Sequence, residues 1–482
     1  MTQHKHLKDR VRARMARTGE RYAAARRHVV AAAAPAVAAD PAAPTHAAPG
    51  ATATASAVAA DPTAAPFLHL PGSVPAATAL RTLLAARGVV AAHTGAPPSE
   101  ALVYGIAGGV GIGMFQFHYA KENVGTFFLG ARHRWDDDLA YLTAGAARFG
   151  LAVAVDESGG AKAAAAQLRA RLADGPVIAW VDLACLPHRA LPTAHEGSGY
   201  HVVVVQAAAG DPADALWLSD AGDAPVRIAA ADLARARARI AKQRHRLLAL
   251  GERSGQGVAT TDGLAAAVLS GLAACADGLV TPPRPGYRAG FTLDGLRVWA
   301  ERLRGGGGRD GWPIVFPPGP RLWDALIGVH DWIESYGTGG GLGRPLQAAF
   351  LREAAAIVAD NRLADAAAHY DALGAAWSDL AEAALPAGVP LFDAARAWSD
   401  ARAARQSAPD DAAAAAEAEA RAAWNALEAA RADAAVAPAL SDADGRALCA
   451  ALADRVDALH AAEVAGQARL AAVAGEVRPG AG

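Results

Sequence analysis

A histidine and an aspartate raise the first chemical question. His201 heads the run Val202-Val203-Val204-Val205, and Asp220 closes the run Leu216-Trp217-Leu218-Ser219. Four successive β-branched residues predict a buried strand, and the short Leu-Trp-Leu run predicts its neighbour. Between them, Ala209-Gly210-Asp211-Pro212-Ala213-Asp214 is loop chemistry. In an antiparallel hairpin with Val205 facing Leu216, Val203 faces Leu218 and His201 faces Asp220. Directly opposed Cβ atoms lie about 4.5–5.5 Å apart. A carboxylate at that range can hold one imidazole nitrogen and aim the other outward, the arrangement that activates a hydroxyl or thiol. The same spacing also suits a purely structural His–Asp hydrogen bond. What the rest of the chain must supply is a nucleophile.

Composition narrows the setting. The 482 residues carry 46 basic and 48 acidic side chains, a formal net charge of −2. Bulk charge therefore favours neither nucleic acid nor an acidic membrane. Length predicts about three domains. The hydrophobic fraction of 53% suffices for large cores, although much of it is alanine. Cys185, Cys275 and Cys449 are odd in number and far apart, so no disulfide framework or metal site is expected, which fits a cytoplasmic protein. No apolar run reaches the ~18 residues that span a bilayer. The N-terminus is too charged for a signal peptide.

The elements that must position the pair follow in order. Residues 1–34 read as a basic helical arm, with Val11, Met15, Tyr22 and Val29 at helical spacings. Nucleic-acid contact is the sharper reading of that charge, and a solvated or partner-docking arm is the favoured one. Residues 35–66 are an Ala/Pro-rich linker that buries too little to order itself. The first domain spans 67–250. Ser73 can cap a helix from about Val74 to Arg87 that Gly88 closes. Ser99 caps a short helix carrying Glu100, and Gly108-Gly109 turn it into a strand. Those glycines follow a helix instead of opening one after a strand, so no dinucleotide fingerprint is read. Strands over Phe127–Gly130, Leu151–Val155 and Pro176–Asp182 alternate with helices at about Trp135–Phe149 and Ala161–Ala173. This is an α+β domain. A hinge at 251–262 leads to a helical domain at 263–400 and an Ala-rich helical tail at 401–482. In the tail, Leu448, Leu452, Val456, Leu459 and Val464 mark an apolar stripe. The break Tyr336–Pro345 offers free amides beside Arg344, which suits an anion or, alternatively, close helix packing.

Several of these residues resemble a known family. Pro71-Gly72 with Thr78-Ala79-Leu80-Arg81-Thr82-Leu83-Leu84, Ser99-Glu100-Ala101, Asp182 with Leu186-Pro187, and Tyr200-His201 with Asp220 resemble the N-terminal domain of butirosin biosynthesis protein H. Leu293-Asp294-Gly295-Leu296, Trp312-Pro313, Asp331-Trp332-Ile333-Glu334, Gly339-Gly340-Gly341 and Arg344 are similar to the helical domain of unknown function that often follows it. The resemblance implies a fold like papain or the C39 double-glycine peptidases, followed by an all-α domain. It implies acyl transfer from a carrier-protein thioester to a small-molecule amine in bacterial natural-product assembly, without a cofactor. It also implies a cysteine at the head of the first helix, where the helix N-terminus favours a thiolate, with His201 as base and Asp220 as its orienter.

The sequence departs from that pattern at the decisive place. Pro75 stands where the cysteine should be and Val74 where a histidine should precede it. Proline suits the first turn of a helix but carries no nucleophile. Three functions follow: a catalytically silent relative that binds an acyl, peptidyl or carrier-protein substrate; an active acyltransferase or amide hydrolase using Ser73 or Cys185; and an interaction protein acting through the arm and tail. Glu100, Arg132, Asp182 and Arg344 are the candidate substrate-binding side chains. A homo-oligomer through the helical part is a further expectation.

Overall fold

The computed structural model describes residues 68–475 apart from 120–123, 198, 208–214, 254–256 and 409–411. The expected basic arm, the linker and the loop Ala209–Asp214 lie outside these residues. All the described residues belong to one compact unit.

Helix α1, Pro75–Ala86, starts on a proline, whose missing N–H costs nothing in the first turn. Helix α2, Glu100–Ile106, is capped as expected: the Ser99 hydroxyl accepts from the Leu102 amide at 2.9 Å. Strands β1, Val110–Tyr119, and β2, Val124–Arg132, form a two-stranded antiparallel ribbon. Helix α3, Asp138–Arg148, is capped by Asp137. Then come β3, Leu151–Asp156, α4, Ala161–Asp174, and β4, Val177–Asp182. Next are β5, Tyr200–Gln206, and β6, Ala215–Ser219. Residues 221–250, which carry no regular expectation from sequence, supply β7, Val226–Ala229, and α5, Ala230–Arg239, and start β8, Leu247–Arg253. The hinge expected at 251–262 therefore begins inside a strand.

The main sheet runs β3-β8-β4-β5-β6-β7, every pair antiparallel. Successive side chains on a strand point to opposite faces. One face, with Ile178, Trp180, Val202, Val204, Leu248 and Leu250, packs under α1 and joins the large core. The other, with Ala179, Val181, Val203, Val205 and Leu218, forms a second core with Leu233 and Ala236 of α5.

The hairpin register differs from the expected one. Val205 pairs with Leu218 and Val204 with Ser219, two residues away from the Val205–Leu216 pairing. A slip of two keeps every side chain on its face, so the alternating pattern cannot distinguish the two registers.

The helical part comprises α6, Thr261–Gly278, α7, Arg288–Phe291, α8, Asp294–Leu303, α9, Trp312–Val315, and α10, Pro320–Glu334. It continues with α11, Arg344–Val358, α12, Arg362–Ala384, α13, Pro390–Ser407, α14, Ala413–Val436, and α15, Asp442–Gly475. It shares the large core with α1 and α2. Gly105 of α2 lies so close to Phe350 of α11 that any Cβ there would run into the ring. In the tail, the buried line of α15 passes through Cys449, Leu452, Val456, Leu459, Glu463, Gly466 and Leu470. Glu463 is thus inside, while Val464, expected in the stripe, is exposed. No helix among the described residues is long and apolar enough to cross a membrane.

Candidate functional site

The head of α1 carries no side-chain cap of its own. Val74 is its N-cap residue, which corrects the expectation that Ser73 caps it. The cap comes from Glu100 instead. Its Oε1 accepts from the amides of Ser73 and Val74, both at 2.8 Å, and from the Thr78 hydroxyl at 2.9 Å. The Ser73 hydroxyl donates to Glu100 Oε2 at 3.3 Å. A carboxylate therefore already occupies the positive end of the helix, where a thiolate or another anion would be stabilised. Over this head lies the glycine-rich break before α11. Gly337 faces the Pro75 ring and Gly339 faces Ser73, with φ of +72° and +75°. A Cβ at Gly339 would lie 2.7 Å from the Ser73 hydroxyl, so only glycine allows that approach.

The His201–Asp220 contact forms, at 2.7 Å from Nε2 to Oδ1. In this register the two residues are diagonal neighbours instead of directly opposed ones. The same imidazole nitrogen lies 2.8 Å from Arg189 Nη2. The second Asp220 oxygen takes His188 Nε2 at 2.8 Å and Arg189 Nε at 2.9 Å. Arg189 also donates to Gln406 of α13 at 2.7 Å, so the cluster ties the sheet to the helical part. Among the described residues, the hydrogen-bond partners of His201 include no hydroxyl or thiol.

Orientation explains why. His201 pairs with Val181, and Val181, Val203 and Val205 belong to the core on the α5 face. The α1 face is presented instead by Val202, Val204 and the half-buried Tyr200. The imidazole therefore points away from the side on which Pro75 heads its helix.

Burial holds the cluster's imidazoles neutral. It pushes His201 and His188 below the usual histidine range, with Asp220 opposing and Arg189 adding to the shift. For Asp220 burial acts upward, but Arg189, His201 and His188 hold the carboxyl well below the ordinary value. His133 is pushed down to about 4, mostly by burial. Groups of both kinds bind fewer protons folded than unfolded. Their contribution is complete above the unfolded histidine pKa of about 6.5 and is lost as pH falls below it, the carboxylate following near its own unfolded value of about 4. The melting temperature at pH 5 is therefore expected to lie clearly below that at pH 7.5; equal values would contradict the neutral cluster.

The remaining candidates are all engaged. Cys185 is buried in the second core, and burial with Asp182 and Glu196 pushes its thiol up to about 11, the wrong direction for a thiolate. Asp182 accepts from the amides of Ala184 and Gly197 at 3.1 and 2.5 Å, bracketing the loop before β5. Arg132 binds the carbonyls of His133 and Arg134, pairs with Asp138 and covers the Tyr141 ring. Arg344 is fully buried. It donates to Glu463 at 2.7 Å and to the carbonyls of Leu342, Gly111 and Ala131. Four of its five N–H donors are thus taken within the chain and the side chain is 0% exposed, so it serves packing and not the surface anion that its position beside the glycines suggested.

Three groupings went unread in the sequence. His188 and Arg189, in the Pro/His-rich loop, complete the Asp220 cluster. Tyr200 is the α1-facing residue at the start of β5, a position that strand alternation alone would have marked. His69 Nε2 donates to the Gly222 carbonyl at 3.2 Å, and its Nδ1 accepts from the Ser219 hydroxyl at 2.9 Å. Ser219 is 1% exposed, so this contact works as a tie between the Leu68–Gly72 segment and the sheet.

Comparison with known proteins agrees with the order of these parts. The family model described as "Butirosin biosynthesis protein H, N-terminal" matches residues 76–220 and begins immediately after Pro75. The model described as "Domain of unknown function (DUF4872)" matches residues 231–470. The first match points to a biosynthesis-related protein. No curated protein matches the chain.

Proposed function

We propose, from a chain whose two matched segments are similar to the butirosin biosynthesis protein H N-terminal domain and to DUF4872, that this protein is an acyltransferase-like member of a bacterial natural-product system that binds an acyl, peptidyl or carrier-protein substrate without forming a thioester. The reading takes α1 against the antiparallel sheet as a papain-like arrangement. The observation that carries it is the head of α1, where Pro75 supplies no nucleophile and Glu100 already holds the Ser73 and Val74 amides. The imidazole of β5 points to the opposite face of the sheet. Ser73 is the weaker alternative nucleophile because its hydroxyl is hydrogen-bonded to a carboxylate and, among the described residues, to no imidazole. The cytoplasm is the setting this chemistry suits.

Intact-mass measurement after incubation with an acyl-pantetheine thioester tests the reading. No stoichiometric adduct is expected, and the carrier should bind saturably and reversibly. A stoichiometric adduct would overturn the proposal. Pro75→Cys sharpens the test. It restores a thiol at the helix head, yet turnover should stay at background because no imidazole of β5 faces that position. Turnover restored by Pro75→Cys alone would show that the His201 side of the argument is wrong.

A further inference from the structure

Beneath the glycine-rich break lies a buried junction of polar groups. Arg344 of α11, Glu463 of α15, Tyr104 of α2, Tyr370 of α12 and Gln347 of α11 all have no solvent exposure. Glu463 Oε1 accepts from Arg344 Nε and from Trp377 Nε1, each at 2.7 Å. Gln347 Oε1 accepts from the Val110 amide at 3.2 Å. Four polar atoms of this junction have no hydrogen-bond partner among the described residues: the hydroxyls of Tyr104 and Tyr370, Gln347 Nε2 and Glu463 Oε2. Gln347 lies one turn from Arg344 on α11, Tyr370 lies two turns from the Glu463-bound Trp377 on α12, and Gly343, next to Arg344, faces the Tyr104 hydroxyl. Burial first, and then Cys275, Glu463 and Tyr104, push the Tyr370 phenol well above its ordinary value; the Tyr104 phenol is raised by burial, Tyr141 and Cys275, with Arg344 opposing. A Cβ on Gly343 would stand 3.0 Å from the Tyr104 hydroxyl, so the glycine leaves that hydroxyl uncrowded.

An unpaired buried polar group is costly, and native structures keep few of them. Four around one ion pair call for a shared partner. Its chemistry follows from the groups it must satisfy. Gln347 Nε2 needs an acceptor, Glu463 Oε2 needs a donor, and each phenol can serve as either. Arg344 and Glu463 already balance one another, so a cation would meet the guanidinium and an anion the carboxylate. The partner is a small neutral molecule with both donors and acceptors. We propose that ordered water occupies this junction and bridges Tyr104, Gln347, Tyr370 and Glu463. The water then joins α2, in the first matched segment, to α11, α12 and α15 of the second. This inference does not rest on the proposed function.

Tyr→Phe substitutions decide it, because they remove a hydroxyl and leave the ring in place. With bridging water, Tyr104→Phe and Tyr370→Phe in the full chain each strand a water and lower the melting temperature by about 1–3 °C. The double variant then falls short of the sum, because both hydroxyls share the same water. In a dry junction each substitution removes an unpaired buried hydroxyl and raises the melting temperature; a rise for either variant overturns the proposal. A high-resolution crystal structure reads the site directly. Density between the four atoms is the expected result, and its absence also overturns the proposal.

Discussion

A fragment of residues 68–225, which contains the described part of the first matched segment, is expected not to fold by itself. The reason is β8. Residues 247–253 follow that segment in the chain, yet in the sheet they lie between β3 and β4. Without β8, those two strands lose their common neighbour and expose unpaired edges in mid-sheet. Leu247, Leu248 and Leu250 leave the two cores, each representing about 1.5–3 kcal/mol of burial. A loss of that order rivals the whole stability of an ordinary domain. Extending the fragment to residue 255 restores the sheet but still uncovers α2, whose Leu102, Val103 and Ile106 are fully buried in the intact chain. Circular dichroism and dye binding would read a molten, dye-binding state for both fragments. A cooperative thermal transition in the shorter one would show that the sheet does not depend on β8.

The second large effect is expected at the Arg344–Glu463 pair. Both side chains are fully buried, and the pair joins the C-terminal helix to the β1–β2 ribbon through the Gly111 and Ala131 carbonyls. Glu463→Ala removes the charge opposite a guanidinium that has no access to water. Breaking such a pair from one side costs about 3–5 kcal/mol. Arg344→Met alone should cost a similar amount by stranding Glu463. Replacing both at once, Arg344→Met with Glu463→Leu, removes both desolvated charges and should recover much of the loss. Urea unfolding of the singles and the double gives the coupling directly. Equal and additive losses would mean that the pair acts as two independent residues, against the geometry described here.

The two halves of the candidate site were legible to different degrees. Helix α1, the Ser99 cap, the valine strand and the His201–Asp220 contact follow from local patterns, and each is present in the structure. The hairpin register was not recoverable, because pairings two residues apart present identical faces. Strand β8 is hidden for another reason. Leu247-Leu248-Ala249-Leu250 lacks β-branched residues, and a short apolar run of this kind fits helix or strand equally well. Glu463 reads as a surface charge on an Ala-rich helix. Its burial depends on Arg344, which is 119 residues away in the chain.

The sequence by itself determined that position 75 holds a ring with no nucleophile, since that is a matter of covalent chemistry that no folding can alter. It also determined, through alternation, that Tyr200 and His201 face opposite ways. Which of those two ways meets the helix head was decided only by the tertiary structure, because it depends on the side of the sheet on which α1 packs. The same holds for Glu100 and Arg344. Local residue types supplied the charges, but only the packing of distant elements set whether those charges would meet a ligand or each find a partner within the chain.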